Sequence, residues 1–232
     1  MFGLNEIAND VIVIIKNEVK EVKFMVKSED SYFLSLSNQQ KEKMLETIKE
    51  DVKRSVSEKR YEHSIGTMQK AKELAELYGE DPLEAMLVGL VHDIAKEMTK
   101  EQYFLYCVQN KIEMDEFDKI QSVTLHGKIG ADIAKKKYHF TKEMQDAIYY
   151  HTTGRANMTK LDKIIFLADK IEDTRENTEE LEQVKNLAKR DMDEAILWDI
   201  DHFTIPKMIK QRKMIHPDSI FARNDIIRRK TK

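Results

Sequence analysis

The segment DPLEAMLVGLVHDIAKEM, residues 81–98, constrains the fold more than any other. It opens with strong helix-start signals: Asp81 can N-cap, Pro82 suits the first helical position, and Glu84 completes a capping-box-like pattern. Beyond them Ala85, Met86, Leu87, Val88, Leu90, Val91, Ile94 and Ala95 surround the whole helix. A helix that is apolar all round belongs in the interior. The rest of the chain therefore has to wrap a central helix. Hydrophobic residues make up 41% of the 232 residues, enough for a sizeable core, and only 7 Gly and 3 Pro interrupt it. Lys, Glu, Leu, Ile, Ala and Met dominate, a mix that favours helices, so the expected class is all-α.

The neighbouring segments agree. KEKMLETIKEDVKRSV places apolar residues at 44, 45, 48, 52 and 56, a stripe of helical period. HSIGTMQKAKELAELYG repeats the pattern and stops at Gly79, a natural glycine after a helix end. Shorter helices are predicted around 100–110 and 113–119, then a pair in LHGKIGADIAKKKY and TKEMQDAIYYH. TKLDKIIFLADKIE starts with Thr159 and Asp162 in capping-box positions. Residues 178–200 and 205–214 and the tail after Pro217 also read as helical. SLSNQQ marks a boundary between an extension, residues 1–39, and one large domain, residues 40–232. The extension is rich in β-branched residues and fits a short β-hairpin or a single helix equally; periodicity does not decide.

Charge is nearly balanced, 39 Lys+Arg against 42 Asp+Glu, which argues against a general nucleic-acid binder. The lone cysteine, Cys107, cannot form an internal disulfide and fits a buried small hydrophobe in a reducing compartment. The N-terminus has no basic region of a secretory signal and no run of 18 apolar residues exists, so a cytoplasmic protein without a membrane partner is expected.

His92 and Asp93 stand side by side inside the apolar segment. His63, His126 and His151 also sit at helix–turn junctions or in apolar company, and Asp169 interrupts IIFLADKI. Singly, each buried histidine is most simply a hydrogen-bonded core residue. Asp162 is explained by capping alone. Asp93 and Asp169 are not, because both read as mid-helix, where Asp is disfavoured, and a buried carboxylate must be paired or bind a metal. A metal site explains the set together, since imidazole and carboxylate suit Fe, Mn, Zn, Co or Ni. On a helix His92 and Asp93 would point about 100° apart. Lys96 lies three and four residues on, where an ammonium could hold a phosphate or simply face solvent. HTTGR, residues 151–155, offers hydroxyls, a close-approach glycine and a bidentate arginine, a set that fits an anion or an ordinary turn.

The strings RYEHSIG, LVHDIAKEM, LHGKIGA, YHTTGRANMTKLDKIIFLADKIE and IHPDSIFARN, in that order, resemble the YqeK family of the HD-domain superfamily, symmetrical bis(5′-nucleosyl)-tetraphosphatases. The likeness runs over about residues 42–232. It implies an HD-domain helical bundle that splits diadenosine tetraphosphate, or a related dinucleoside tetraphosphate, into two ADP or GDP-like products, using water activated between two metals. ADP leaves as a stable anion, so no dedicated general acid is demanded. The resemblance implies two divalent or mixed-valence ions, iron by family habit. His63, His92 and Asp169 would serve one ion and His126 and His151 the other, with Asp93 bridging. Asp93 and Lys96 would be catalytic. Lys96, Thr152, Thr153, Gly154 and Arg155 would hold phosphate, with Arg60 and Arg175 as further candidates. The family often has a proline between Glu172 and the arginine matching Arg175; this chain reads IEDTREN instead. His139, His202 and His216 are expected to be structural or at the surface. Residues 1–39 lie outside the likeness and carry no HxGH-like motif of the adenylyltransferase fused to some relatives; a fusion remnant and a dimerisation or docking element both fit. Whether the chain forms a homodimer stays open. The rivals are another HD phosphohydrolase, a nucleotidase or cyclic-nucleotide phosphodiesterase, and a non-catalytic helical interaction module.

Overall fold

The computed structural model describes residues 30–176 and 178–231. Among these every regular element is helical, as expected. The hairpin-or-helix question for the N-terminus falls almost wholly outside the described residues. The part that is described, residues 30–38, packs onto the bundle: Phe33 is fully buried edge-on to Phe140, and the Asp30 carboxylate accepts from the Lys142 backbone N–H. Packing therefore crosses the boundary drawn at residue 39.

Helix starts follow from local chemistry. In α1 (Asn38–Ser55) Ser37 and Gln40 form a reciprocal capping box. In α2 (Glu58–Tyr78) Ser57 caps the start and Gly79, at φ 71°, ends it. In α3 (Pro82–Val91) Asp81 accepts from the backbone of Leu83 and Glu84, with Pro82 in the first turn. The Glu84 carboxylate does not return the bond; it pairs with Lys41 at 2.7 Å. Helix α3 is central, packed by α1, α2, α7 (Lys142–Tyr150) and α8 (Lys160–Ile171). Gly89 lets α2 cross closely, since a Cβ there would lie 3.1 Å from the Met68 Cα.

The central helix is shorter than the apolar run. It stops at Val91, and residues 92–97 continue as turns, with Ile94 N–H bonding to Val91 and Lys96 N–H to Asp93 three residues back. The mid-helix placement of Asp93 is thus corrected: the pair lies just past the helix end, where the chain tightens and side chains can converge. α4 (Lys100–Asn110), α5 (Glu116–Ile120) and α6 (Leu125–Tyr138) follow near their expected positions.

The segment read as one helix over 178–200 is two, α9 (Glu179–Ala188) and α10 (Met192–Asp199). Asp191 breaks it by capping Asp193 and Glu194. A π-helical turn, Ile200–Thr204, leads into α11 (Ile205–Lys210). Pro206 explains the turn: it has no N–H for the carbonyl four residues back, and its ring crowds that carbonyl, so the ladder widens. α12 (Pro217–Lys230) closes the fold, capped by the His216 ring. Helices α9 and α10 lie over α8, α12 packs on α10, and a cavity opens between α9, α10, the π-helical turn and the turn after α3.

Candidate metal centre

Three of the four histidines are held by one device. The Nδ1–H of His92 donates to the Gly89 carbonyl at 2.7 Å, that of His151 to Ile148 at 2.6 Å, and that of His126 to Val123, each acceptor three residues back. His63 sits inside α2, where backbone carbonyls are already used, and donates its Nδ1–H to the buried Glu172 carboxylate at 2.9 Å. With Nδ1 protonated, each ring presents the Nε2 lone pair inward.

These lone pairs meet two carboxylates. Asp93 lies between two halves of the cluster. Its Oδ2 is 3.7 Å from His63 Nε2 and 3.6 Å from His92 Nε2, while its Oδ1 is 3.2 Å from His126 Nε2 and 3.4 Å from His151 Nε2. Asp169 Oδ1 joins the first half, 3.1 Å from His63 and 3.7 Å from His92. Ligand atoms of His63, His92 and Asp169 lie within 4.8 Å of one another, and so do those of His92, Asp93 and His151. His126 stands beside the second group, its Nε2 3.0 Å from His151 Nε2 and 3.0 Å from Lys96 Nζ.

The donor set fits metal ions. Among the described residues His63 Nε2, His92 Nε2 and Asp93 Oδ1 are buried without a hydrogen-bond partner. Such orphaned atoms are costly unless something satisfies them, and converging lone pairs call for a cation rather than a donor each. The His/Asp cluster is a binuclear metal-binding site. Burial, and then Lys96, holds His126 below its ordinary pKa, while burial brings His151 down to about 4. Both rings are thus neutral near pH 7, the form a ligand needs. Burial pushes Asp93 up, but the groups facing it, the Lys96 ammonium among them, outweigh burial and hold the carboxyl well below its usual range. Asp169 is likewise held well below its usual range despite burial.

A cavity of about 450 Å³ opens onto the cluster, lined there by Asp93, Asp169, Arg60, Lys96, Thr152 and Arg175. Arg60 donates to Asp93 Oδ2 at 2.8 Å and Arg175 to Asp169 Oδ1 at 2.7 Å. The Thr152 hydroxyl lies 3.0 Å from His151 Nε2 and 3.2 Å from His126 Nε2. The remaining residues of HTTGR turn away. The buried Thr153 hydroxyl donates to the Gly154 carbonyl at 2.9 Å, and Gly154, at φ 68°, lies against Ala222. Arg155 gives Nε and a terminal nitrogen to Asp162 Oδ2, both at 2.8 Å, with Asp146 at 3.4 Å. Of the residues expected to hold phosphate, Lys96, Thr152, Arg60 and Arg175 line the cavity; Thr153, Gly154 and Arg155 lie outside its lining, and Arg155 ties the turn to α8 through Asp162. Glu172 was missed as a partner of His63, although it stands one helical turn beyond Asp169. The far end of the cavity was missed too; Trp198, Phe203 and Lys207 come from a segment without a recognisable motif.

An HD domain model matches residues 60–174. A symmetrical bis(5′-nucleosyl)-tetraphosphatase of Halalkalibacterium halodurans is 36% identical over 177 residues, covering 76% of this chain and 93% of that protein. One of Bacillus subtilis is 32% identical, covering 76% and 94%. A crystal structure of an HD superfamily hydrolase from Clostridium acetobutylicum, described as involved in NAD metabolism, is similar with TM-score 0.76 at 37% identity, over 79% of this chain and 97% of the other.

Proposed function

Because the chain belongs to the HD-domain superfamily of hydrolases, related to symmetrical bis(5′-nucleosyl)-tetraphosphatases, we propose that it hydrolyses diadenosine tetraphosphate and related dinucleoside tetraphosphates at the central bridge. The products are two ADP, or the matching nucleoside diphosphates. The observation that carries this reading is the cluster split by Asp93 into two metal-sized halves, facing the end of a cavity where Arg60, Lys96 and Arg175 converge. In this reading His63, His92 and Asp169 hold one ion, His126 and His151 the other, and Asp93 both, with iron the first choice. Two such ions supply Lewis acidity to the phosphoryl oxygens and lower the pKa of a nearby water.

The chain's own side chains do the rest. The backbone-anchored histidines keep the donor atoms preorganised. Lys96, Arg60 and Arg175 neutralise charge that builds on the attacked phosphoryl group, and the two guanidinium groups pass from carboxylate to phosphate oxygens. The water oxygen bonds to one inner phosphorus, the P–O bond to the bridge breaks, and the second nucleoside diphosphate leaves with that electron pair. It is already a stable anion, so the water's proton goes to solvent. The test is incubation of diadenosine tetraphosphate with metal-loaded protein and separation of the products. ADP alone supports the reading; ATP plus AMP, or turnover only of mononucleotides or cyclic nucleotides in a parallel panel, rejects it.

A further inference from the structure

The catalytic reading uses only the inner half of the cavity. The outer half is built from α9, α10, the π-helical turn and α11, with Leu181, Val184, Trp198, Phe203 and Lys207 as lining and Lys170 of α8 beside them. Phe203 is 44% exposed, although an aromatic ring gains from burial. The π-helical turn aims it into the opening rather than the core. The ammonium groups of Lys207 and Lys170 lie 5.3 and 6.0 Å from its ring centre, and among the described residues neither has an ion-pair partner. Trp198 is stacked on His202 at 4.7 Å, which fixes its plane. Aromatic rings beside unpaired cations, leading to a metal cluster, are the features that hold a base and its phosphates.

We propose that this outer half is a nucleobase subsite: Phe203, with Trp198 beside it, stacks one base of a nucleoside polyphosphate, and Lys170 and Lys207 meet the phosphates running inward to the metals. The proposal rests on the phosphohydrolase reading for the direction of the phosphate chain. Stacking uses the π-face that every base has, so ADP and GDP bind with similar affinity.

Trp198 is the only tryptophan, so the chain's tryptophan emission reports from the proposed subsite. The experiment titrates metal-loaded protein with ADP, GDP and inorganic pyrophosphate. ADP and GDP change the emission; pyrophosphate leaves it unchanged yet displaces ADP. Phe203→Ala weakens ADP roughly 5- to 150-fold, the range for loss of one stacked base, and leaves pyrophosphate displacement unaltered. Lys207→Gln weakens both ligands. The proposal is overturned if ADP leaves the emission unchanged, or if Phe203→Ala weakens ADP and pyrophosphate equally. A protein that shows the ADP signal but does not cleave diadenosine tetraphosphate keeps the subsite and rejects the cleavage reading, so the two failures are separate.

Discussion

Glu172 holds the Nδ1 of His63 at 2.9 Å across the gap between α8 and α2, and Gly66, one turn along α2 from His63, leaves the space that its carboxylate fills. Thr174 completes the arrangement, donating its backbone N–H and its hydroxyl to the same carboxylate. A Cβ at residue 66 would collide with Glu172. Gly66→Ala is expected to displace the carboxylate and leave the His63 ring without its orienting partner. Metal affinity should fall about 10- to 100-fold, the usual cost of losing such a partner. Metal titration of the variant checks this, and wild-type affinity would refute it. Glu172→Gln keeps an acceptor for the imidazole and should lose less.

Asp93 faces four imidazoles and two cations, more than any other side chain of the cluster. Its removal should cost both halves at once. Asp93→Ala is expected to hold at most one ion per chain, whereas His63→Ala or His151→Ala should still bind in the undamaged half. Elemental analysis after loading and desalting decides; two ions retained by Asp93→Ala would remove it from the bridging position.

Metal should also stabilise the fold, because the cluster joins α2, the turn after α3, α6, the end of α7, and α8. An ion present at 100 times its Kd adds about 2.7 kcal/mol per site. For a chain of this size that is a rise in Tm of roughly 5–10 °C. Melting curves with Mn²⁺, and again after chelation, measure it. Equal melting temperatures would mean the cluster does not bind the ion.

What could be read from sequence was mostly local chemistry. Ser, Thr and Asp caps, Pro82 and Gly79 act on backbone groups within a few residues, so the starts of α3 and α8 and the end of α2 were legible. The candidate ligands were legible because polar side chains in apolar company demand an explanation. The end of α3 was not. It depends on the His92 ring competing for the Gly89 carbonyl and on the fit of residues 92–97 against neighbouring helices, which no periodicity encodes. The partner of Arg155 was not legible for a different reason. Asp162 was fully accounted for as a cap, yet one oxygen of its carboxylate serves both Thr159 and Arg155. The outer cavity stayed invisible because Trp198, Phe203 and Lys207 become neighbours only through the π-helical turn.

Arg155 offers a direct test of whether this turn is structural or holds phosphate. Its guanidinium meets Asp162 through two nitrogens, and Asp162 is almost wholly buried. Lysine keeps the charge but not the fork. Arg155→Lys should lower stability by about 2 kcal/mol, the scale of hydrogen bonds to a charged group, while KM for diadenosine tetraphosphate stays at the wild-type value. A raised KM with unchanged stability would return Arg155 to the phosphate site.

Asp193 makes the last prediction, on acid stability. It joins three helices, accepting from Arg229 of α12 at 2.8 Å and pairing with Lys163 of α8 at 2.9 Å from its own place on α10. Burial raises its pKa, but Arg229 and Lys163 outweigh burial and bring it below the ordinary value. Asp225, bonded to Arg228 and Arg229, is lowered as well. A carboxyl whose pKa falls on folding binds protons more readily when unfolded. Its stabilisation is therefore complete above the unfolded value, about 3.9, and drains away as pH drops through it toward the folded value. The C-terminal helix should loosen from the bundle first, since Asp193 holds α12 through Arg229 and Asp225 holds it through the Asn157 backbone N–H. Asp193→Asn removes one anchor at every pH. The variant should be less stable than wild type at pH 7 by about 1 kcal/mol, a modest figure because the partners are partly exposed. The two should converge below about pH 4, where the wild-type carboxyl begins to protonate. Paired thermal melts from pH 7 to pH 3 measure the gap, and a gap that widens in acid would contradict the assignment.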